Sequence, residues 1–186
     1  GATAETGEFP EGFYYGGGSR PASVKKAEGK PMPAVTSEGW HGNALTPADL
    51  KDRVLVVHFF ASGNAASMTQ GAELAALEKE MGPQGVVVLG VCPADDAWES
   101  LAPLVEQGKL PSRVCKDGAP KADAPVKASG ALAEAVGVRY MPSTIVVDRT
   151  GKVRAAGVRV DKVKEIASKL LAENTTKKAP EGASGG

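Results

Sequence analysis

The stretch Val54-Leu55-Val56-Val57-His58-Phe59-Phe60-Ala61-Ser62-Gly63-Asn64-Ala65-Ala66-Ser67-Met68 decides the fold. Its first seven residues form a β-branched and aromatic run, the pattern of a buried strand, and Ala61-Ser62-Gly63 ends that run in a turn. The period changes at Asn64, a good helix N-cap. Met68, Leu74, Leu77 and Met81 then approximate one helical face, and Gly82-Pro83 stops it. Val86 to Val91 reads as a second buried strand.

Working outward, Asp95 and Asp96 offer caps for a helix containing Trp98, Leu101 and Val105, which Pro103 should kink or divide. Arg113-Val114-Cys115 reads as a short strand, Leu132 to Val136 as a brief helix and Ser143 to Val147 as a strand. Asp148-Arg149-Thr150-Gly151 is a turn, from which Lys152 to Val158 returns as the second strand of a hairpin. Val163, Ile166, Ala167, Leu170 and Leu171 recur at helical spacing behind Asp161 as candidate cap. Strand–helix–strand units followed by a hairpin and a closing helix predict an α/β sandwich with a mixed sheet.

The ends carry weaker signals. Residues 1–29 mix Gly, Pro, Ser and charge around Phe9, Phe13, Tyr14 and Tyr15 without periodicity, which predicts a flexible arm with locally docking aromatics. Residues 30–174 form the domain, and 175–186 read as a disordered tail.

With 22 Lys+Arg against 22 Asp+Glu, the chain lacks the basic excess of a nucleic-acid binder. No apolar stretch approaches the ~18 residues of a membrane span, and residues 1–20 lack the basic-then-apolar order of a signal peptide. Gly16-Gly17-Gly18 neither follows a strand nor precedes Lys-Ser or Lys-Thr, so it is no phosphate loop. Two histidines, His41 and His58, and two cysteines, Cys92 and Cys115, are too few for an evident metal site. No cofactor is expected.

In order and spacing, four stretches resemble the thioredoxin-like superfamily, in its TlpA-like and peroxiredoxin-related redoxin branch. They are Gly29 to Pro33, Leu50 through Phe60-Ala61-Ser62, Gly85 to Val91, and Gly137-Val138-Arg139-Tyr140-Met141-Pro142-Ser143-Thr144 with the 148–151 turn. The resemblance covers about 29–174 and implies a three-layer α/β/α sandwich. It also implies a bacterial periplasmic or extracytoplasmic home. In that family the strand end opens onto Cys-x-x-Cys at the helix start, where this chain has Asn64-Ala65-Ala66-Ser67. A glutathione-peroxidase-like alignment also puts the peroxidatic position on Asn64. An amide and an unactivated hydroxyl cannot replace the thiolate of disulfide exchange.

The resemblance places His58 where thioredoxins carry a buried proton-transfer acid, leaving a retained shuttle and an inert core histidine as its two readings. Ala72 replaces a kinking proline, and Pro142 stands where the family has a cis-proline that faces the helix start. Asn64, Met141 and Pro142 are therefore candidate binding residues, with strand addition of an extended peptide or protein as the mode, against a vestigial depression. If the strands carrying Cys92 and Cys115 are parallel neighbours, as the family's inserted segment implies, the two form a possible disulfide, stay as inert thiols, or act as a relocated redox pair. The leading expectation is a non-catalytic binding or structural module. The enzymatic alternative is an atypical thiol–disulfide oxidoreductase or thiol peroxidase using Cys92 and Cys115.

Overall fold

A computed structural model describes residues 8–37, 39–93, 97–120 and 130–173. The proposed caps Asp95 and Asp96 and the tail 175–186 lie outside these residues. Six strands form one mixed sheet: β1 (Trp40–His41), β2 (Val54–Phe59), β3 (Val86–Cys92), β4 (Val114–Lys116), β5 (Ser143–Val147) and β6 (Val153–Ala156). Their order is β1-β4-β3-β2-β5-β6, with β2, β3 and β4 parallel and the other pairings antiparallel. The helices are α1 (Ala22–Lys25), α2 (Pro47–Leu50), α3 (Ala65–Met81), α4 (Ala102–Glu106), α5 (Ala131–Ala135) and α6 (Val160–Ala172).

Strand alternation divides the core into layers. Val54, Val56, Val86 and Val88 face Leu74, Leu77 and Met81 of α3 and Val163, Ile166 and Leu170 of α6. Leu55, Val57, Phe59, Val87 and Leu89 face the other way, against Val24 and Ala27 of the α1 region, Ala133 of α5, and the neighbouring Val136 and Val138. β2 and β3 are buried along their whole length because both faces are covered, which explains their nearly unbroken apolar runs. The result is the expected three-layer sandwich.

Several local expectations need correction. Asp161 does not cap α6: the N-cap is Arg159, which has no side-chain capping bond, and Asp161 lies inside the first turn, paired with the Arg159 guanidinium at 3.0 Å. Pro103 does divide its segment, where a 3-10 turn (Trp98–Leu101) gives way to α4 and the proline occupies an early position that needs no N–H donor. Sequence reading missed β1 and α2. The start of α2 is written plainly as Thr46-Pro47-Ala48-Asp49, where Thr46 and Asp49 form a reciprocal capping box.

The larger correction concerns the N-terminal arm, which is packed over its described part. Phe9, Tyr14, Val24 and Ala27 are buried. Residues 13–32 close the outer edge of β6 and its hairpin: Tyr15 N–H donates to Gly157 O, Arg159 N–H to Phe13 O, Gly29 N–H to Val153 O and Met32 N–H to Gly151 O. The buried Arg20 guanidinium stacks over Tyr14 at 3.7 Å, donates twice to Glu28 at 2.7 and 3.0 Å, and donates to Ala156 O. Glu28 also accepts from Ala156 N–H at 3.0 Å. An open sheet edge invites pairing with other chains, and here an irregular segment satisfies it, with no periodic pattern to betray the role.

Candidate functional site

The end of β2 and the start of α3 form a single hydrogen-bonded corner. Asn64 Oδ1 accepts from Ser67 N–H at 2.9 Å, capping α3. Ser67 is fully buried, and its hydroxyl accepts from Ala61 N–H at 3.2 Å, which closes the turn. The Ser67 carbonyl accepts from His58 Nε2–H at 3.0 Å, pinning the first turn of α3 to the middle of the sheet. A carbonyl only accepts, so the neutral ring carries its proton on Nε2. Burial lowers the His58 pKa from 6.5 to about 4, against the opposing effect of this hydrogen bond. Gly71, one turn further on, passes so close to the segment between α4 and β4 that an added Cβ would meet Leu110 at 2.8 Å. Ala72 is exposed, and α3 runs unbroken through it.

The loop before β5 reaches the same end of the sheet, because Ser143 pairs with Phe59, the last residue of β2. The Met141–Pro142 peptide is cis. Tyr140 is 76% exposed, the most exposed large hydrophobic side chain described. Met141 and Pro142 are half-buried, and Gly63, Ala65 and Ala66 at the same sheet end are exposed. Among the described residues the Met141 backbone makes no hydrogen bond, so its N–H and C=O stay available beside a small apolar surface.

The two cysteines are not assembled into a bridge. β3 and β4 are parallel neighbours, but Val91 aligns with Cys115 while Cys92 aligns with Lys116. Residues in register share a face and successive residues alternate, so the two thiols point to opposite faces. Cys92 packs with Phe60, Leu101, Leu110 and Val114, whereas Cys115 packs with Leu89, Val91 and their neighbours. The suggested disulfide is therefore absent, because the offset of one residue reverses one sulfur. Both side chains are buried. Burial, then the negative charges of Asp117 and a Cys92 thiolate, push the Cys115 thiol up to about 12 against a Ser37 hydrogen bond. Neither cysteine belongs to the first turn of α3.

Other candidates fall apart spatially. His41 stacks on Trp98 at 3.9 Å and donates from Nε2 to its carbonyl at 2.8 Å at the β1 edge, while His58 is in the central β2. Among the described residues no group of three or more His, Cys, Asp or Glu could hold a metal ion, and no helix is long and apolar enough to cross a membrane. A cavity of about 460 Å³ lies away from the α3 corner, between residues 33–37, β4 and α5. Asp117 at its wall is already engaged as an acceptor from Leu132 and Ala133 N–H at 2.8 and 3.0 Å.

A mixed sheet of this order, with a helix rising from the end of β2 and the loop before β5 at the same end, defines a thioredoxin-like protein. The fold is similar to that of a thiol-disulfide isomerase from Corynebacterium glutamicum, at 19% identity and TM-score 0.64, covering 77% of this chain and 97% of that one. It is also similar to a thioredoxin-family thiol:disulfide interchange protein from Chlorobium tepidum, at 18% identity and TM-score 0.62, covering 78% and 99%. At these identities the likeness is one of fold. Among curated proteins none matches the chain. Residues 27–171 match the Redoxin family model, and the chain belongs to the redoxin family.

Proposed function

We propose that this redoxin-family chain is a non-catalytic binding module that takes an extended polypeptide across Met141, and that it works without dithiol chemistry. The unengaged Met141 backbone, beside exposed Tyr140 at the sheet end from which the cysteine-free first turn of α3 starts, carries this reading. A bound strand would exchange N–H and C=O bonds with Met141 and lay alternate side chains on Tyr140 and on the Ala65-Ala66 surface. Elementary chemistry supports the absence of thiol exchange in this reading. The attacking group must be an accessible thiolate, and both thiols are buried on opposite faces of the sheet.

The alternative, a redox pair of Cys92 and Cys115, would require one strand to slip by a residue before the sulfurs could meet, which would reverse its buried face. An extracytoplasmic setting belongs to the same proposal and rests on the family resemblance. The test is an NMR titration with a panel of extended, unstructured peptides. Saturable shifts at Met141, Tyr140 and Asn64 are expected. N-methylation of the pairing peptide amide should weaken binding roughly fivefold, the worth of about one net hydrogen bond. A panel that produces no saturable shift at this corner would overturn the proposal.

A further inference from the structure

Behind the first turns of α3, three buried polar atoms are left without partners. His58 is wholly buried, and its Nε2–H is committed to the Ser67 carbonyl, so Nδ1 presents a lone pair; no described group meets it. Thr144, 1% exposed, stands directly opposite His58 in the β2–β5 ladder, and its Oγ1 also has no partner. Residues opposite each other in a ladder project to the same face. Gln70 donates from Nε2 to the Tyr15 hydroxyl at 3.0 Å and leaves Oε1 buried and unpartnered.

Backbone bonds set Tyr15, Gly157, Thr144 and His58 in one row. Tyr15 N–H donates to Gly157 O, Gly157 N–H donates to Thr144 O, and Thr144 aligns with His58. The Ser67–Gly71 segment of α3 lies above that row: Ser67 O touches His58 Nε2, a Gly71 Cβ would stand 3.7 Å from the same atom, and Gln70 reaches Tyr15. His58 Nδ1 and Gln70 Oε1 are acceptors, and the Thr144 hydroxyl is a donor.

We infer that His58 Nδ1, Thr144 Oγ1 and Gln70 Oε1 form an internal site for one small neutral molecule that both donates and accepts hydrogen bonds, namely water. A water here donates to His58 and Gln70 and accepts from Thr144. It thereby satisfies three buried groups at once, the usual number for a buried water. The occupant complements the His58 tautomer that the Ser67 carbonyl sets, by donating to the bare Nδ1. Through Gln70 and Tyr15 it also connects the N-terminal segment to the first turn of α3.

Solution NMR on the full chain tests the site. The expected result is an Nε2–H tautomer for His58, with cross-peaks from a long-lived water to the Thr144 side chain and the Gln70 amide. Those cross-peaks should be lost in the near-isosteric Thr144→Val variant, with relaxation dispersion counting one fewer long-lived water. Gln70→Met serves as the second variant, and the wild-type spectra decide the matter if either variant fails to fold. An Nδ1–H tautomer overturns the inference, as does the absence of long-lived water at Thr144, or a direct Thr144 hydroxyl bond to His58.

Discussion

Lowering the pH from neutrality to about 4 should destabilise this protein chiefly through His58, before most of the carboxylate contribution is lost. Burial in the sheet lowers the folded-state pKa of His58 from 6.5 to about 4. Between those values the unfolded chain binds a proton that the folded chain refuses, so stability rises with pH across the window. The stability is fully present above about pH 6.5, is lost as pH falls, and levels off below about 4 where both states are protonated. At roughly 1.4 kcal/mol per unit, the interval amounts to about 3 kcal/mol. Asp148 and Glu173 have lowered pKa values, Asp148 through hydrogen bonds from Thr150, Lys152 and Arg154 that outweigh burial, and Glu173 through its bond to Arg154. The stability they contribute is lost as pH falls below their ordinary carboxylate range, mostly beneath the histidine window. Urea unfolding at half-unit steps from pH 7.5 to 4, on the wild type and on His58→Gln, measures the effect. Equal pH slopes in the two proteins would refute the reasoning.

Other perturbations have defined directions. Asn64→Ala removes the cap on α3 and should cost about 1 kcal/mol in denaturant unfolding, with local exchange faster at Ser67 N–H. Arg20→Met strands Glu28 beneath the N-terminal segment and should cost about 3 kcal/mol or more, with raised proteolysis of residues 8–28, because removing one member of a buried pair leaves the other uncompensated. Gly137→Ala puts a Cβ 2.1 Å from Ser23 O at a φ of +74°; a marked loss of thermal stability is expected, and an unchanged melting temperature would contradict the packing of α1 against this turn. Native-state alkylation should leave Cys92 and Cys115 unmodified on a timescale that labels both in urea.

The sequence disclosed what local periodicity controls. The run from Val54 to Met68 contained a strand, a turn, a cap and a helix start because burial on both faces and capping leave direct marks on residue type. The packed N-terminal segment was not legible, since Tyr14, Arg20 and Glu28 find their partners on β6 and the residues beside it, more than a hundred residues away, through irregular backbone. The cysteine geometry was half legible. Parallel adjacency of β3 and β4 was expected, but the register that separates the sulfurs is set by packing of Val114 beside Phe60 and Cys92 on one face and of Cys115 beside Val91 on the other. His58 was recognised as a candidate, while its neighbours Thr144 and Gln70 carried no signal, because an isolated polar residue in a strand or helix does not announce which space it faces.

The central claim is that the chain binds without thiol chemistry. Its most direct test is catalysed reduction of insulin disulfides, with peroxide consumption in parallel, by the wild type and by a Cys92→Ser/Cys115→Ser double variant. The account predicts background rates that are the same for both proteins. Turnover by the wild type that disappears in the double variant would contradict it and would assign the redox chemistry to Cys92 and Cys115.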